Sequence, residues 1–457
     1  MSGADGGAPA PVRWDPALLW ILGGALAIRL GVLFVVSPTP LAGDELDYFW
    51  RAAERAQDMV PEDVGFRPPL MEFFYGTLFR LTGPSIPVAR LATVVIGVLL
   101  LVPLHDIARR FGGLTTARMA AVLAAVYPNF IAFSHYLWSE TIYMFLVLWG
   151  IALLGSHLER PAIWKLGLAG VALGLSALAR VVGLAFPILA AGWLLWISRS
   201  ELRRSLRPLA APACLLVAVV VPIAPWTASL NREGEPFAAI TRTTWHNLYL
   251  GNVQPPDRHP VMGYRQLGDT TTERETKART IVLETIWDRL PGWPFEKIAS
   301  ELPSFFGPKS FAVRRLQTLG DLTGSLNRAW GYRFRFHEVD TRSFRSRAGV
   351  LTVCTYIAIV LLGTVGMALM PPSRWRQLLL IFVLSQLAPT ILTFAISRFR
   401  LAAMTVAIIG TAWLIRTGPD AWRDASRAAR VTALATASTV AWMISLRWQL
   451  LSTHAWG

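Results

Sequence analysis

The sequence predicts an all-α polytopic membrane protein, and three observations lead to this fold class. Of the 457 residues, 53% are hydrophobic and only 16% are charged, whereas about a quarter of the residues in soluble domains are charged. The mean hydropathy is +0.43. Nineteen Trp and 22 Phe are typical of aromatic belts at two membrane interfaces. This composition excludes a disordered chain, a disulfide scaffold and a cytosolic enzyme.

Eleven apolar segments meet the requirement for a spanning helix, which is about 20 residues across about 30 Å of hydrocarbon. The predicted spans are residues 17–36, 87–107, 117–135, 138–156, 163–179, 181–198, 209–225, 348–370, 377–395, 401–416 and 431–447. They divide the chain into three parts. We expect an N-terminal transmembrane module over 1–225, an extracytoplasmic loop region over 226–347 and C-terminal transmembrane helices over 348–457.

The basic residues of the short loops predict the orientation. If the N-terminus is cytoplasmic, every short basic loop falls on the cytoplasmic side, as the positive-inside rule requires. The net charge of +15 follows from the same rule, so we expect a lipid bilayer and no nucleic acid as partner. The two long connections, residues 37–86 and 226–347, then lie outside the cytoplasm. Long outer loops are where we expect function.

An acidic pair follows the first predicted span. Asp44 and Glu45 come directly after Gly43 at the outer interface, where partial burial tunes the pKa of a carboxylate. The alternative is helix capping, with Asp44 as N-cap and Glu45 as a first-turn acid favoured by the helix dipole. From the residues alone, capping is the stronger interpretation.

A cation precedes two prolines later in the same loop. Arg67 is followed by Pro68 and Pro69, which hold the preceding backbone extended, and a guanidinium fixed in this way at an interface can bind a lipid phosphate. The alternative is an arginine that snorkels to the headgroups. From the residues alone, snorkelling is the stronger interpretation.

These residues and several short motifs resemble one known family, in the expected order along nearly the whole chain. The motifs are Asp44-Glu45 with Tyr48, Arg67-Pro68-Pro69, Ala89-Arg90-Leu91, Ser139-Glu140, Leu178-Ala179-Arg180, Pro225-Trp226, Asn231-Arg232 with Gly234, Asn247-Leu248 with Gly251-Asn252, and Arg398-Phe399-Arg400-Leu401. The chain resembles GT-C membrane glycosyltransferases, the group that includes the lipid A aminoarabinose transferase, protein O-mannosyltransferases and bacterial family 39 homologues. Each motif is weak alone, but the ordered set is specific.

The resemblance implies an inverting transfer on the outer side of the bacterial cytoplasmic membrane. The implied donor is a sugar on a polyprenyl phosphate, and the implied acceptor is a hydroxyl of a glycan, lipid or protein. The catalytic residues implied are Asp44 and Glu45, with Asp44 as the general base. Glu45 is rotated by about 100° from Asp44 if the helix has begun, so we expect only one of the two to face the reaction.

Such a transfer needs one base and a cationic cradle for the phosphate. The substrate-binding residues implied by the resemblance are Tyr48, Arg67, Glu140, Arg180, Arg232, Arg398 and Arg400. Arg398 and Arg400 are equally well explained as interfacial anchors. For Glu140 and Arg180, which both fall near outer span ends, a structural ion pair is the preferred interpretation. We expect no cofactor and no obligatory metal, because Asp44 and Asp47 are separated and no second acidic motif follows.

The second long loop is predicted to be a lid of a few helices that selects the acceptor. Helical patterns cover residues 273–290 and 294–306, while 247–260 is loop-like. Two other classes stay open. A flippase or transporter is also polytopic and basic, but the spans lack an internal repeat and midplane carboxylates. A polysaccharide ligase or polymerase shares the lipid-linked donor, but depends on loop Arg and His residues.

Overall fold

The computed structural model describes residues 15–36, 41, 43–61, 64–202, 205–231, 237–253, 260–308 and 341–453. All regular secondary structure in these ranges is helical, which confirms the predicted fold class. The helices of the first part are α1 (Pro16–Val36), α2 (Asp44–Ala56), α3 (Leu70–Thr82), α4 (Ile86–Leu99), α5 (Leu101–Val126), α6 (Pro128–Phe133), α7 (Glu140–Glu159), α8 (Ile163–Ala179), α9 (Ala185–Ile197), α10 (Arg199–Leu202) and α11 (Ala210–Leu230).

The remaining helices form an outer group and a C-terminal group. The outer helices are α12 (Thr244–Asn252), α13 (Pro260–Arg265), α14 (Thr271–Asp288) and α15 (Trp293–Phe306). The C-terminal helices are α16 (Thr341–Leu369), α17 (Arg374–Leu392), α18 (Ala403–Thr417), α19 (Asp420–Arg423) and α20 (Arg427–Thr453).

Within the described residues, seven helical stretches are long and apolar enough to cross a membrane. They are Pro16–Phe34, Ile86–Val126, Glu140–Glu159, Arg207–Leu230, Gly349–Leu369, Arg374–Leu392 and Arg427–Arg447. Three shorter apolar helices cover Ile163–Ala179, Val181–Ile197 and Ala403–Thr417. Together these stretches account for the predicted spans, because Ile86–Val126 contains two of them.

The predicted boundary between the spans 87–107 and 117–135 is wrong. The chain stays helical up to a single break at Gly113, which has φ 80° and ψ 179°. Only glycine adopts this conformation without strain, so one residue replaces the expected loop. The second of these spans also ends early, at Val126, because Tyr127 is extended before Pro128, which opens α6.

Small residues let the membrane helices approach closely. Gly363 and Gly366 of α16 pack against the backbone of α18 around Gly410, where an added Cβ would have no room. Such contacts between small residues replace the hydrophobic driving force that is missing between helices in lipid. They fix α18, and therefore the loop that precedes it, against the bundle.

One end of the bundle collects the polar outer elements. The end of α8, the start of α7 and the loop between α17 and α18 meet there, together with the α2–α3 hairpin. The α2–α3 hairpin is held by packing of Phe49 on Phe79, with ring centroids 5.1 Å apart, and by Glu72, which lies between Arg51 and Arg55.

The expectation of a loop over 247–260 is wrong for its first part. Residues 244–252 form α12, and residues 254–259 lie outside the described residues. The reason is a distant cap: the Glu275 carboxylate of α14 accepts hydrogen bonds from the backbone N–H groups of Trp245 and His246 at 2.8 and 2.7 Å. These are first-turn donors that have no partner within a helix. The two helices predicted over 273–290 and 294–306 are confirmed as α14 and α15, whereas their role as a lid stays a prediction.

Candidate active site

Asp44 lies between two guanidinium groups. Its Oδ1 accepts a hydrogen bond from Nη2 of Arg67 at 2.8 Å, and its Oδ2 accepts one from Nη1 of Arg398 at 2.5 Å. The N-cap of α2 is Gly43, with φ 58°, and no side chain caps the helix. The capping interpretation of Asp44 is therefore wrong, because its carboxylate turns outward from the first turn to the two arginines.

The two arginines set the charge state of Asp44. Burial acts to raise the pKa of this carboxyl, but the positive charges of Arg67 and Arg398 outweigh burial and leave the pKa below its ordinary value. Asp44 is therefore ionised at neutral pH. Since its side chain is a quarter exposed, a ligand can reach it.

Arg67 is fixed by the helix that carries Asp44. Its Nε donates to Oδ2 of Asp47 at 2.7 Å, and its guanidinium lies 5.5 Å from the ring centre of Tyr48. Asp47 also binds Arg51, one turn along α2, at 2.8 Å. An arginine held in this way by two carboxylates and a ring does not extend freely toward lipid headgroups, so the snorkelling interpretation does not describe its position.

Arg398 comes from the loop between α17 and α18. Its guanidinium lies 5.1 Å from the ring centre of Trp138, and its Nε is 3.6 Å from Oε1 of Glu140. In the part of the chain that the structure describes, Nε of Arg398 and Oε2 of Glu140 are buried without a hydrogen-bond partner. The contact between Arg398 and Glu140 ties the loop before α18 to the start of α7.

Glu140 and Arg180 form the ion pair that the sequence analysis prefers for them. Arg180 also donates to the hydroxyl of Ser139 at 3.3 Å and lies 5.5 Å from the ring centre of Phe399. Glu140 thus connects Arg180 to Arg398. Arg398 in turn connects Glu140 to Asp44. Tyr48 lies beside this chain of charges, and burial raises the pKa of its phenol, which stays protonated at neutral pH.

Two described residues of the expected site, Glu45 and Arg400, are not in this cluster. Glu45 is buried and accepts a hydrogen bond from the backbone N–H of Leu137 at 3.2 Å, on a different side of α2 from Asp44. Arg400 lies 4.0 Å from the ring centre of Tyr356 and donates to the carbonyls of Phe305 and Gly307. Arg232 lies outside the described residues.

Sequence reasoning missed two members of the cluster. Asp47, three residues after Asp44, falls on the same side of α2, and this spacing was the available signal for its contact with Arg67. Trp138 directly precedes the Ser139-Glu140 motif, and nothing in the sequence indicates that it packs on Arg398. Among the described residues, no group of three or more His, Cys, Asp and Glu side chains is placed to hold a metal ion.

One cavity among the outer helices lies away from this cluster. It has a volume of about 580 Å³ and is lined by residues of α12, α14, α15 and α20, including Asn252, Arg289, Lys297, Glu301 and Arg447. Asp44, Arg67 and Arg398 do not line it. The candidate active site is therefore the ion-paired cluster, in which a carboxylate lies between two guanidinium groups, and not the cavity.

A comparison with known families finds one match. Residues 66–226 match the sequence model of the family described as dolichyl-phosphate-mannose-protein mannosyltransferase. This range contains Arg67, Glu140 and Arg180, whereas Asp44 and Arg398 lie outside it. No curated protein matches the chain in sequence.

Solved structures resemble the chain over most of its length. The oligosaccharyltransferase of Archaeoglobus fulgidus in complex with Zn and sulfate has a TM-score of 0.52 and 14% identity, covering 92% of this chain and 53% of that chain. AglB from the same organism, in complex with an inhibitory peptide and a dolichol-phosphate, has a TM-score of 0.50 and 13% identity, covering 93% and 54%. The chain thus spans about half the length of these archaeal enzymes.

A third structure, ArnT from Cupriavidus metallidurans bound to undecaprenyl phosphate, has a TM-score of 0.39 and 17% identity, covering 88% of this chain and 78% of that chain. This likeness is too low to support an argument about the fold. The matches to the archaeal enzymes and to the mannosyltransferase family agree with the motifs quoted above. The chain therefore has the fold of the GT-C membrane glycosyltransferases, and the resemblance to that superfamily is confirmed.

Proposed function

We propose that the protein is an inverting glycosyltransferase that moves a sugar from a polyprenyl-phosphate donor to a hydroxyl acceptor on the outer side of the cytoplasmic membrane. The observation that carries the proposal is the ionised carboxylate of Asp44 between the guanidiniums of Arg67 and Arg398, at one end of a GT-C bundle. A base beside two cations is the equipment that this transfer needs.

In the proposed reaction, Asp44 accepts the proton of the acceptor hydroxyl. The acceptor oxygen forms a bond to the anomeric carbon from the face opposite the phosphate, and the bond between that carbon and the phosphate oxygen breaks. The electron pair leaves with the phosphate, whose new charge Arg67 and Arg398 stabilise. The proton then passes from Asp44 to solvent.

The same two arginines link donor binding to the base. In the ligand-free protein they neutralise Asp44 and lower its pKa, which makes it a weaker proton acceptor. A donor phosphate competes with Asp44 for both guanidiniums. Its binding would therefore free the carboxylate and raise its basicity at the moment when the acceptor needs a base.

The outer placement rests on charge and topology. The cluster lies at the end of the bundle where α7 begins and α8 ends, and the short loops at the other end carry the arginine excess. On the positive-inside rule, the arginine-rich end is cytoplasmic. A donor whose tail lies in the outer leaflet would then present its phosphate on the same side of the membrane as Asp44.

Turnover by the purified protein in liposomes tests the proposal. A set of synthetic polyprenyl-phosphate sugars is offered with hydroxyl acceptors, and mass spectrometry follows the release of polyprenyl phosphate and the new glycoside. We expect both products with the native protein. Movement of intact donor across the bilayer without bond cleavage would instead favour the flippase alternative.

A further inference from the structure

The loop that carries Arg398 is held by one outer helix. Glu301 of α15 accepts a hydrogen bond from the backbone N–H of Ala395 at 2.7 Å, and Lys297 donates to the carbonyl of Thr393 at 2.6 Å. Lys297 and Glu301 also bind each other at 2.9 Å, one turn apart on α15. Both side chains therefore contact the backbone just after α17, three to five residues before Arg398.

We propose that the Lys297–Glu301 pair of α15 positions Arg398 for binding the donor phosphate by fixing the start of the loop between α17 and α18. This inference rests on the proposed function for the role of Arg398. The outer helix α15 contributes no side chain to the Asp44 cluster. On this proposal it nevertheless helps to form the phosphate cradle by holding Arg398 in place.

The backbone at the end of α17 depends on side chains of other elements: Nδ2 of Asn252 donates to the carbonyl of Leu392 at 3.0 Å, and the groups that follow bind α15. Thr393 leaves the helix with φ −103° and ψ −104°, and the chain turns again only at 397–402. The terminal carbonyls of a helix and the first groups beyond it require external partners when they are partly buried. Lys297, which is 4% exposed, and Glu301 supply them.

The far side of the loop is tied to the same helix. Arg400 donates to the carbonyls of Phe305 and Gly307, at the end of α15. Arg398 is therefore between two attachments of one loop to one helix. A shift of α15 would move both attachments and, with them, the guanidinium that binds Asp44.

Substitutions at Glu301 test the proposal, and undecaprenyl phosphate in nanodiscs is the probe of the cradle. Glu301→Ala removes the acceptor for Ala395 N–H and should weaken binding of the probe about tenfold or more, to the extent that Arg398→Gln does. The double variant should lose no more than Arg398→Gln alone. Glu301→Gln keeps an oxygen acceptor and should restore most of the affinity.

Glu296→Gln is the matched control. Glu296 lies on the same helix but pairs with Arg289 instead of the loop, so this variant should bind the probe like the native protein. If Glu301→Ala is too unstable to purify, Ala395→Pro removes the same hydrogen bond from the loop side and should give the same loss.

A second readout separates positioning from packing. Arg398 is one of the two cations that lower the pKa of Asp44, the other being Arg67, so displacement of Arg398 should move the acid limb of kcat/KM to higher pH. Glu301→Ala should show this shift, whereas a variant that only loosens packing should not. Native affinity in both Glu301→Ala and Ala395→Pro, or additive losses in the double variant with Arg398→Gln, would overturn the proposal.

Failure of the proposed function would look different. If the protein transferred no sugar but bound undecaprenyl phosphate with equal dependence on Arg398 and Glu301, the positioning role would stand without the reaction. If Arg398→Gln left binding unchanged, the cradle itself would be misplaced and the positioning role would fail with it.

Discussion

Nη1 of Arg398 lies 2.5 Å from Oδ2 of Asp44, although 354 positions separate the two residues in the sequence. The contact joins the first outer helix to the loop before α18. Because Arg67 holds the other oxygen of the same carboxylate, one acidic side chain connects three separate segments. The site is thus a closed set of ion pairs, which a phosphate would have to open.

Loss of either clamping arginine should weaken donor binding. Arg67→Gln and Arg398→Gln each remove a charge-assisted contact, worth about 1.5 to 3 kcal/mol, so we expect the Kd for a polyprenyl-phosphate sugar to rise at least tenfold. Equilibrium binding to protein in nanodiscs measures this. Arg423→Gln is the control, because this exposed arginine pairs with Asp420 and not with Asp44, and its loss should leave the affinity unchanged. Unchanged affinity in both clamp variants would place the phosphate elsewhere.

The pH dependence of turnover should lack a limb near neutral pH. Asp44 acts only when deprotonated, and its pKa lies below the ordinary 3.8, so activity is present above that pKa and is lost as the pH falls through it. Burial, with help from nearby arginines, lowers the pKa of His246 to about 4, so this imidazole is neutral at neutral pH and does not titrate there. We expect kcat/KM of the native protein to be flat around pH 6.5. In Arg67→Gln the pKa of Asp44 should be higher, so the loss of kcat/KM on acidification should begin at a higher pH than in the native protein. A native limb near pH 6.5 that disappears in His246→Gln would assign the base to His246 instead.

Breaking the Glu140–Arg180 pair should destabilise the protein strongly. The side chains are 4% and 17% exposed, and removing one partner of such a pair leaves a charge without compensation, at a cost of about 3 to 5 kcal/mol. Glu140→Gln should therefore lower the unfolding temperature in detergent, and the double variant Glu140→Gln, Arg180→Gln should recover part of the loss. The exposed Arg423–Asp420 pair provides the control, because Asp420→Asn should change stability by less than about 1 kcal/mol. Purely additive losses at Glu140 and Arg180 would show that the two charges are not coupled.

The orientation can be tested on α14. A Cys placed at Thr271, the first residue of that helix, should react with a membrane-impermeant maleimide in intact cells. The two native cysteines, Cys214 and Cys354, are free and have to be replaced first. Labelling at Thr271 that requires permeabilised membranes would place the cluster on the cytoplasmic side and exclude an outer-leaflet donor.

Local patterns were sufficient to predict most of the fold. The hydropathy that locates a span such as residues 163–179 is a property of that segment alone, and the structure has a helix at the same residues. Gly113 shows where this reasoning fails, because a single glycine interrupts the helix where a polar stretch indicated a loop. The cap of α12 by Glu275 was hidden for another reason: its donor and acceptor are about 30 residues apart.

The sequence predicted which residues form the site better than it predicted how they contact one another. Asp44 and Arg67 share one loop, so their proximity follows from the chain itself, whereas the contact with Arg398 depends on the packing of α17 and α18. Arg398 and Arg400 carry the same charge in the same motif, and only the turn at 397–402 sends one toward Asp44 and the other toward α15. Sequence spacing does not resolve that turn.

The roles of Asp44 and Glu45 provide the most direct test of the account. Asp44→Asn keeps the shape of the side chain but removes the proton acceptor, so turnover of a synthetic polyprenyl-phosphate sugar should fall about 100- to 10,000-fold. Donor binding should be retained in this variant, because a carboxylate that competes with the phosphate is lost. Glu45→Gln keeps an oxygen that accepts from Leu137 N–H and should remain largely active. A nearly active Asp44→Asn protein beside an inactive, folded Glu45→Gln protein would contradict the account.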